Sequence, residues 1–174
     1  MSGMNALPAP LQLLLAENAE SIAAMRAARD SIRRSLLAHA DDKLLKGDEL
    51  VGWMGEVYGK LMLDGRLVDD KYEHDFEVAK DDMRVSVKAR KGNASGWTQT
   101  SDISRVSGDG VPTHLLFVHL DDDFGLLQMW LYPWQEILIA GRFKLKEVRG
   151  EMRAHVFYVA ASKDRRYLIY ERGA

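Results

Sequence analysis

The sequence predicts an α/β (α+β) chain: helices come first, and a mixed central sheet flanked by helices follows. Three observations carry this. Residues 11–46 contain neither glycine nor proline and are rich in Ala, Leu, Arg and Glu, which favours helix. From Tyr72 onward the apolar period drops to two, the signature of strands. A length of 174 residues, 47% of them hydrophobic and 29% charged, suits one folded domain (48–174) with an N-terminal helical arm (1–47).

Taking the elements in order, the first segment is expected to be one long helix or two, from Leu11 to about Lys46. Leu15, Asn18, Ile22, Met25, Arg29, Ile32 and Leu36 recur there in alternating steps of three and four, an apolar seam interrupted at Asn18 and Arg29. Such a seam suits packing against a partner helix or against the chain's own domain. Gly47 closes the arm. Asp48 is placed to cap a second helix running to about Leu63, with Gly65 as its stop. Leu50, Met54, Val57 and Leu61 form its expected buried stripe. Gly52, Gly55 and Gly59 gather opposite, with Glu56 at their edge. Each helical glycine costs about 1 kcal/mol relative to alanine, so close approach of another backbone or a ligand is expected at that thin face.

Next, Asp75 and Glu77 alternate with Phe76 and Val78, and residues 80–82 turn the chain. Met83, Val85, Val87 and Ala89 then alternate with Arg84, Ser86, Lys88 and Arg90, giving a hairpin with one polar face. Residues 113–120 and 126–132 read as central strands, 133–141 as a short helix, and 144–149, 155–160 and 167–171 as further strands.

Composition removes several function classes. With no cysteine there are no disulfides, no thiolate catalysis and no cysteine-ligated zinc, so any metal is held by oxygen or imidazole. A net charge of −2 gives no global basic character, and a nucleic-acid partner would need a local patch. The longest apolar runs, such as 115–118, are far too short to span a bilayer. Residues 1–10 lack the basic flank and apolar stretch of a secretory signal, so a cytoplasmic protein with no membrane partner is expected. Phosphate-binding lysine loops, dinucleotide glycine fingerprints and nucleophile elbows are missing from the sequence.

The hairpin carries the chemistry. Alternation sends Asp75, Ser86 and Lys88 to one face, and Glu56 can approach from the preceding helix. Such a grouping suits phosphodiester hydrolysis: carboxylates hold a hard divalent cation that polarises phosphate and activates water, and an ammonium stabilises developing charge or orients the water.

A helical Glu56, then Asp75, a short turn and Ser86-Val87-Lys88 in a strand resembles the core of the PD-(D/E)xK nuclease superfamily, which includes restriction endonucleases, resolvases and transposon-end nucleases. The resemblance covers about residues 48–132 and is one of pattern rather than close identity. It implies a restriction-endonuclease-like fold, Glu56, Asp75, Ser86 and Lys88 as the catalytic set, and Mg²⁺, replaceable by Mn²⁺, as cofactor. The implied substrate is DNA, cut in restriction or another defence against foreign DNA. A homodimer or a place in a larger complex is expected, because cleavage of two strands needs two sites. Two positions depart from the pattern: His74 stands where proline often precedes the aspartate, and Ser86 where an acidic residue is usual. A hydroxyl is a poorer magnesium ligand than a carboxylate. Glu77 or Glu73, on the strand face of Asp75, is the expected compensation, which makes Glu56, Asp75 and Glu77 the expected metal ligands. The alternative is a catalytically inactive, nuclease-like adaptor or assembly subunit of a DNA-processing complex.

Beyond the lysine, Arg90, Lys91, Trp97 and Gln99, with Asn93 and Ser95 between them, form a polar segment with one indole, suited either to DNA contact or to a solvated loop whose Trp97 rests on the core. His114 and His119 lie five apart, on opposite faces of a strand, and do not jointly bind a metal. Asp121, Asp122 and Asp123 read as a strand-end turn rather than a cation site. Trp130 and Trp134 are expected to cover the edge of the core.

Overall fold

The computed structural model describes residues 9–43, 45, 49–92, 97–148 and 150–173, and it divides into two compact units between Ser35 and Leu36. Helix α1 (Ala9–Leu37) supplies the described residues of the first unit, and its last two residues belong to the second. Leu13 and Met25 are exposed on it, and the seam's Leu15 and Ile22 have side chains outside the described set.

The helix stops well short of Lys46. Asp41 and Asp42 both adopt left-handed backbone, with φ of 49° and 68°, and turn the chain. Tertiary contacts override the helical composition here: Ala40 and Leu45 are buried. The Asp41 carboxylate accepts the Leu67 N–H and pairs with Lys60, each at 2.9 Å. Burial works to raise the Asp41 pKa, but Lys60, the Leu67 N–H and Arg66 together hold it below the usual carboxylate value. Residues 36–43 and 45 therefore belong with the sheet-bearing unit, whereas Gly47 and the expected cap Asp48 lie outside the described residues.

Helix α2 (Leu50–Met62) forms as expected, but its N-cap is Glu49, without a side-chain cap bond. Its buried face is wider than the predicted stripe: Trp53, Met54, Gly55, Val57, Gly59 and Lys60 are buried, while Leu61 is exposed. The glycines explain the rotation. A Cβ at Gly55 would stand 2.6 Å from the Ala89 Cβ, and one at Gly59 would stand 2.3 Å from Leu116 Cδ2. The thin face approaches the sheet itself.

That sheet has six strands in the order β1-β2-β3-β4-β5-β8: β1 (Arg66–Leu67), β2 (Phe76–Val78), β3 (Met83–Lys91), β4 (His114–Leu120), β5 (Leu126–Pro133) and β8 (Leu168–Glu171). Only β3 and β4 run parallel; every other pair is antiparallel. A parallel pair needs a long crossover, and residues 92–113 supply it.

Alternation along β3 divides two environments. Val87 and Ala89 meet the glycine face of α2. Ser86 and Lys88 pair across to Leu115 and Phe117, which belong to a core with Ile103, Trp130, Tyr132, Trp134 and Phe157. Trp130 and Trp134 are thus inside the core rather than at its edge. Helix α3 (Trp134–Ile139) follows β5 directly, and β6 (Lys144–Val148) pairs with β7 (Glu151–Val156) as a separate hairpin. The strand expected over 155–160 lies earlier because Phe157 and Val159 are bonded through the backbone to Thr100 and Thr98 of the crossover. Among the described residues, no helix is long and apolar enough to cross a membrane.

Candidate active site where strands β2 and β3 part

On β3, strand β2 pairs only with Met83, Arg84 and Val85, so from Ser86 onward β3 keeps a strand partner on its β4 side alone. Asp75, the residue before β2, fills the gap: its N–H donates to Val85 O at 2.9 Å, and its Oδ2 accepts the Val87 N–H at 2.6 Å. One carboxylate oxygen therefore replaces a missing strand, which fixes the side chain beside Ser86 and Lys88.

Two clefts meet at this point. The first, about 320 Å³, is lined by Asp75, Ser86, Lys88, Glu73, Ser104 and Arg105. The second, about 810 Å³, is lined by Glu56, Asp75, Lys88, Arg90 and Lys91. Asp75 and Lys88 border both. The four residues expected from sequence thus come together around one strand edge, with Glu56 entering from α2. Ser86 is buried. Lys88 is half-buried, and its ammonium makes no hydrogen bond or ion pair with the described residues.

Glu56 accepts a 2.8 Å hydrogen bond from Lys43, which also lies 3.4 Å from Asp70. Burial, and then the negative charge of Asp75, push the Glu56 pKa above the usual carboxylate value against the opposing pull of Lys43. Burial works to lower the Lys43 pKa, but Glu56, Asp75 and Asp70 hold it above the usual lysine value. Lys43 was not legible as a site residue, because its segment reads as continuous helix. Its proximity to the carboxylates depends on the turn at Asp41 and Asp42.

One expected metal ligand needs correction. Glu77 does not share these clefts: on β2 it pairs with Arg84 of β3, and it accepts a 3.0 Å hydrogen bond from His74 Nε2. Strand alternation gave it the right face, but the histidine in the proline position draws it away from Asp75. Of the two compensating candidates, Glu73 is the one in the first cleft.

The polar segment after Lys88 is largely committed to the fold. Arg90 Nε donates to Gln99 O at 2.8 Å, while Lys91 Nζ donates to Asp122 O at 3.1 Å and lies over the Phe124 ring. Gln99 forms an isolated backbone bridge with Tyr158. Trp97 stacks on His119 with ring centres 4.0 Å apart and also meets Trp130, so its indole face is spent on the core rather than offered to a base. Asn93 and Ser95 lie outside the described residues. His114 and His119 are separately engaged, the former with Thr113 and the latter with Gly92 O. The aspartate run is the expected turn: Asp121 Oδ1 accepts the Asp123 and Gly125 N–H groups.

Neither a protein-family model nor a curated protein matches the chain.

Proposed function

We propose that this chain is a divalent-metal-dependent endonuclease of the PD-(D/E)xK type that hydrolyses DNA phosphodiester bonds. The observation that carries the reading is the meeting of Glu56, Asp75, Ser86 and Lys88 at one strand edge, with the Lys88 ammonium unpaired among the described residues while carboxylates border the same clefts. The donor set fits a hard cation. Glu56 and Asp75 are close enough for the charge of one to raise the pKa of the other, a repulsion that a bound cation relieves. Two carboxylates with water and substrate oxygens completing the shell suit magnesium. Glu56 and Asp75 would hold the ion, which supplies Lewis-acid polarisation of the phosphate and a more acidic water.

The chain's own groups do the rest. Asp75 is anchored by the Val87 N–H through Oδ2, leaving Oδ1 for a ligand. Lys88 is positioned to orient the water or to stabilise charge developing on phosphate oxygens. Ser86 supplies a neutral hydroxyl where a third carboxylate is usual, so the ion would carry less protein charge and depend more on substrate oxygens. Incubating supercoiled plasmid and linear DNA with the protein in Mg²⁺, Mn²⁺ or EDTA tests this: nicking or cutting with either metal and none in EDTA is expected.

A second reading is favoured by Lys43. Its ammonium already neutralises Glu56 at 2.8 Å, the arrangement of a nuclease-like adaptor whose site is closed by its own cation. No cleavage in wild type, restored metal binding in Lys43→Met, and retained DNA or partner binding would favour that reading.

A further inference from the structure

The two clefts that share Asp75 and Lys88 differ in chemistry. On the α2 side the cleft adds the carboxylates of Glu49 and Glu56, and its Arg90 and Lys91 are bonded to Gln99 O and Asp122 O. On the other side the crossover brings in Ser104 and Arg105. We propose that Arg105, with Ser104 beside it, forms an anion subsite for a backbone phosphate next to the one cleaved, and that Glu73 is the internal stand-in that holds the guanidinium until nucleic acid arrives. This rests on the nuclease reading and adds to it a direction for the substrate strand.

Several observations build the subsite. The Arg105 loop is pinned on both sides. Ile103 exchanges two 2.8 Å backbone hydrogen bonds with His155, and the Trp134 indole donates to Val106 O at 2.9 Å. Arg105 is thus carried on fixed backbone, although its side chain is exposed. Gly108 and Gly110, with φ of 100° and 80°, curl the loop round the guanidinium, whose nitrogens lie 3.7 and 3.6 Å from where their Cβ atoms would stand. The only ion pair that Arg105 makes among the described residues is with Glu73, at 3.5 Å and with both side chains well exposed. Such a contact is weak and readily exchanged, whereas a phosphate offers the planar guanidinium two charged acceptors at once. Of the other acids of this cleft, Asp75 is anchored to the Val87 N–H and Asp102 is engaged by Lys146 at 2.6 Å. The cations left facing the cleft are Arg105 and Lys88.

The test is fluorescence anisotropy of a fluorescein-labelled DNA duplex in Ca²⁺ over a range of salt concentrations, run beside plasmid cleavage in Mg²⁺. Arg105→Gln is expected to weaken binding about tenfold and to lower the log–log salt slope by about 0.9, the loss of one phosphate contact. Arg105→Lys is expected to keep the slope and lose part of the affinity. Glu73→Gln is expected to tighten binding severalfold, and to do so no longer once Arg105 is also replaced. Wild-type affinity and slope in Arg105→Gln, with cleavage by the parent protein intact, would overturn the subsite and leave the nuclease standing. A parent protein that neither binds nor cuts DNA would overturn both.

Discussion

Two carboxylate clusters in this protein are built from similar parts and have opposite states. Asp164 is buried and saturated: it accepts from Tyr132 Oη at 2.9 Å, from both Arg142 terminal nitrogens at 2.8 Å and from the Ala160 N–H at 2.8 Å. Burial works to raise its pKa, but the Arg142 bonds and the others outweigh it, and the pKa falls below the usual carboxylate value. Around β3 the balance is reversed. Glu56 has its pKa raised, Asp75 is anchored through one oxygen, and Lys88 is unpaired among the described residues. A satisfied network rigidifies a fold, whereas charge held against its preference is the usual mark of a site that awaits a ligand. On the proposed reading, the first cluster serves the structure and the second the chemistry.

Breaking each cluster should therefore produce different losses. The largest effect is expected from Lys88→Ala, which should lower single-turnover cleavage by about 10²–10³-fold, the range for removing one preorganised electrostatic group, with circular dichroism and Tm near those of the parent. Asp164→Ala should do the reverse. Removing one partner of a buried pair costs about 3 kcal/mol, measurable by urea unfolding, while cleavage by the folded fraction persists.

Acid sharpens the same contrast. The folded Asp164 pKa is depressed, so its contribution is present above the unfolded value and is lost as pH falls through the folded value. Glu56 has the opposite sign in the metal-free chain: the folded state keeps its proton to higher pH, so stability falls as pH rises from the unfolded value through the folded one. Urea midpoints across the acid range should lose the first slope in Asp164→Asn and the second in Glu56→Gln.

Two smaller predictions probe what holds the site in place. Lys43→Met should strengthen Mg²⁺ or Mn²⁺ binding in calorimetry by about tenfold, equivalent to roughly 1.4 kcal/mol. Gly55→Ala should destabilise by about 1–3 kcal/mol, because the Ala89 Cβ has no rotamer through which to yield. Gly52→Ala meets nothing nearer than the Glu49 side chain at 3.6 Å and should stabilise by about 0.5–1 kcal/mol.

Much of this arrangement was legible in local pattern. The switch from helical spacing to alternation located the hairpin, and alternation put Asp75, Ser86 and Lys88 on one side. The glycines of α2 announced a close approach, and the approaching partner is the sheet. What stayed hidden depends on contacts distant in sequence. The turn at Asp41 that carries Lys43 to Glu56 is fixed by Leu67 and Lys60, and Arg105 reaches the cleft only because Ile103 pairs with His155 some fifty residues on. Glu77 shows the limit of alternation itself: the strand face was right, and a neighbouring histidine decided where the carboxylate went.

The most direct measurement is plasmid cleavage in Mg²⁺ by the parent protein, Asp75→Asn and Lys88→Ala, each first shown to unfold at the same urea concentration. The predicted result is metal-dependent nicking by the parent and its loss in both variants. Cleavage at the parent's rate in Lys88→Ala would contradict the assignment of this strand edge as the active site.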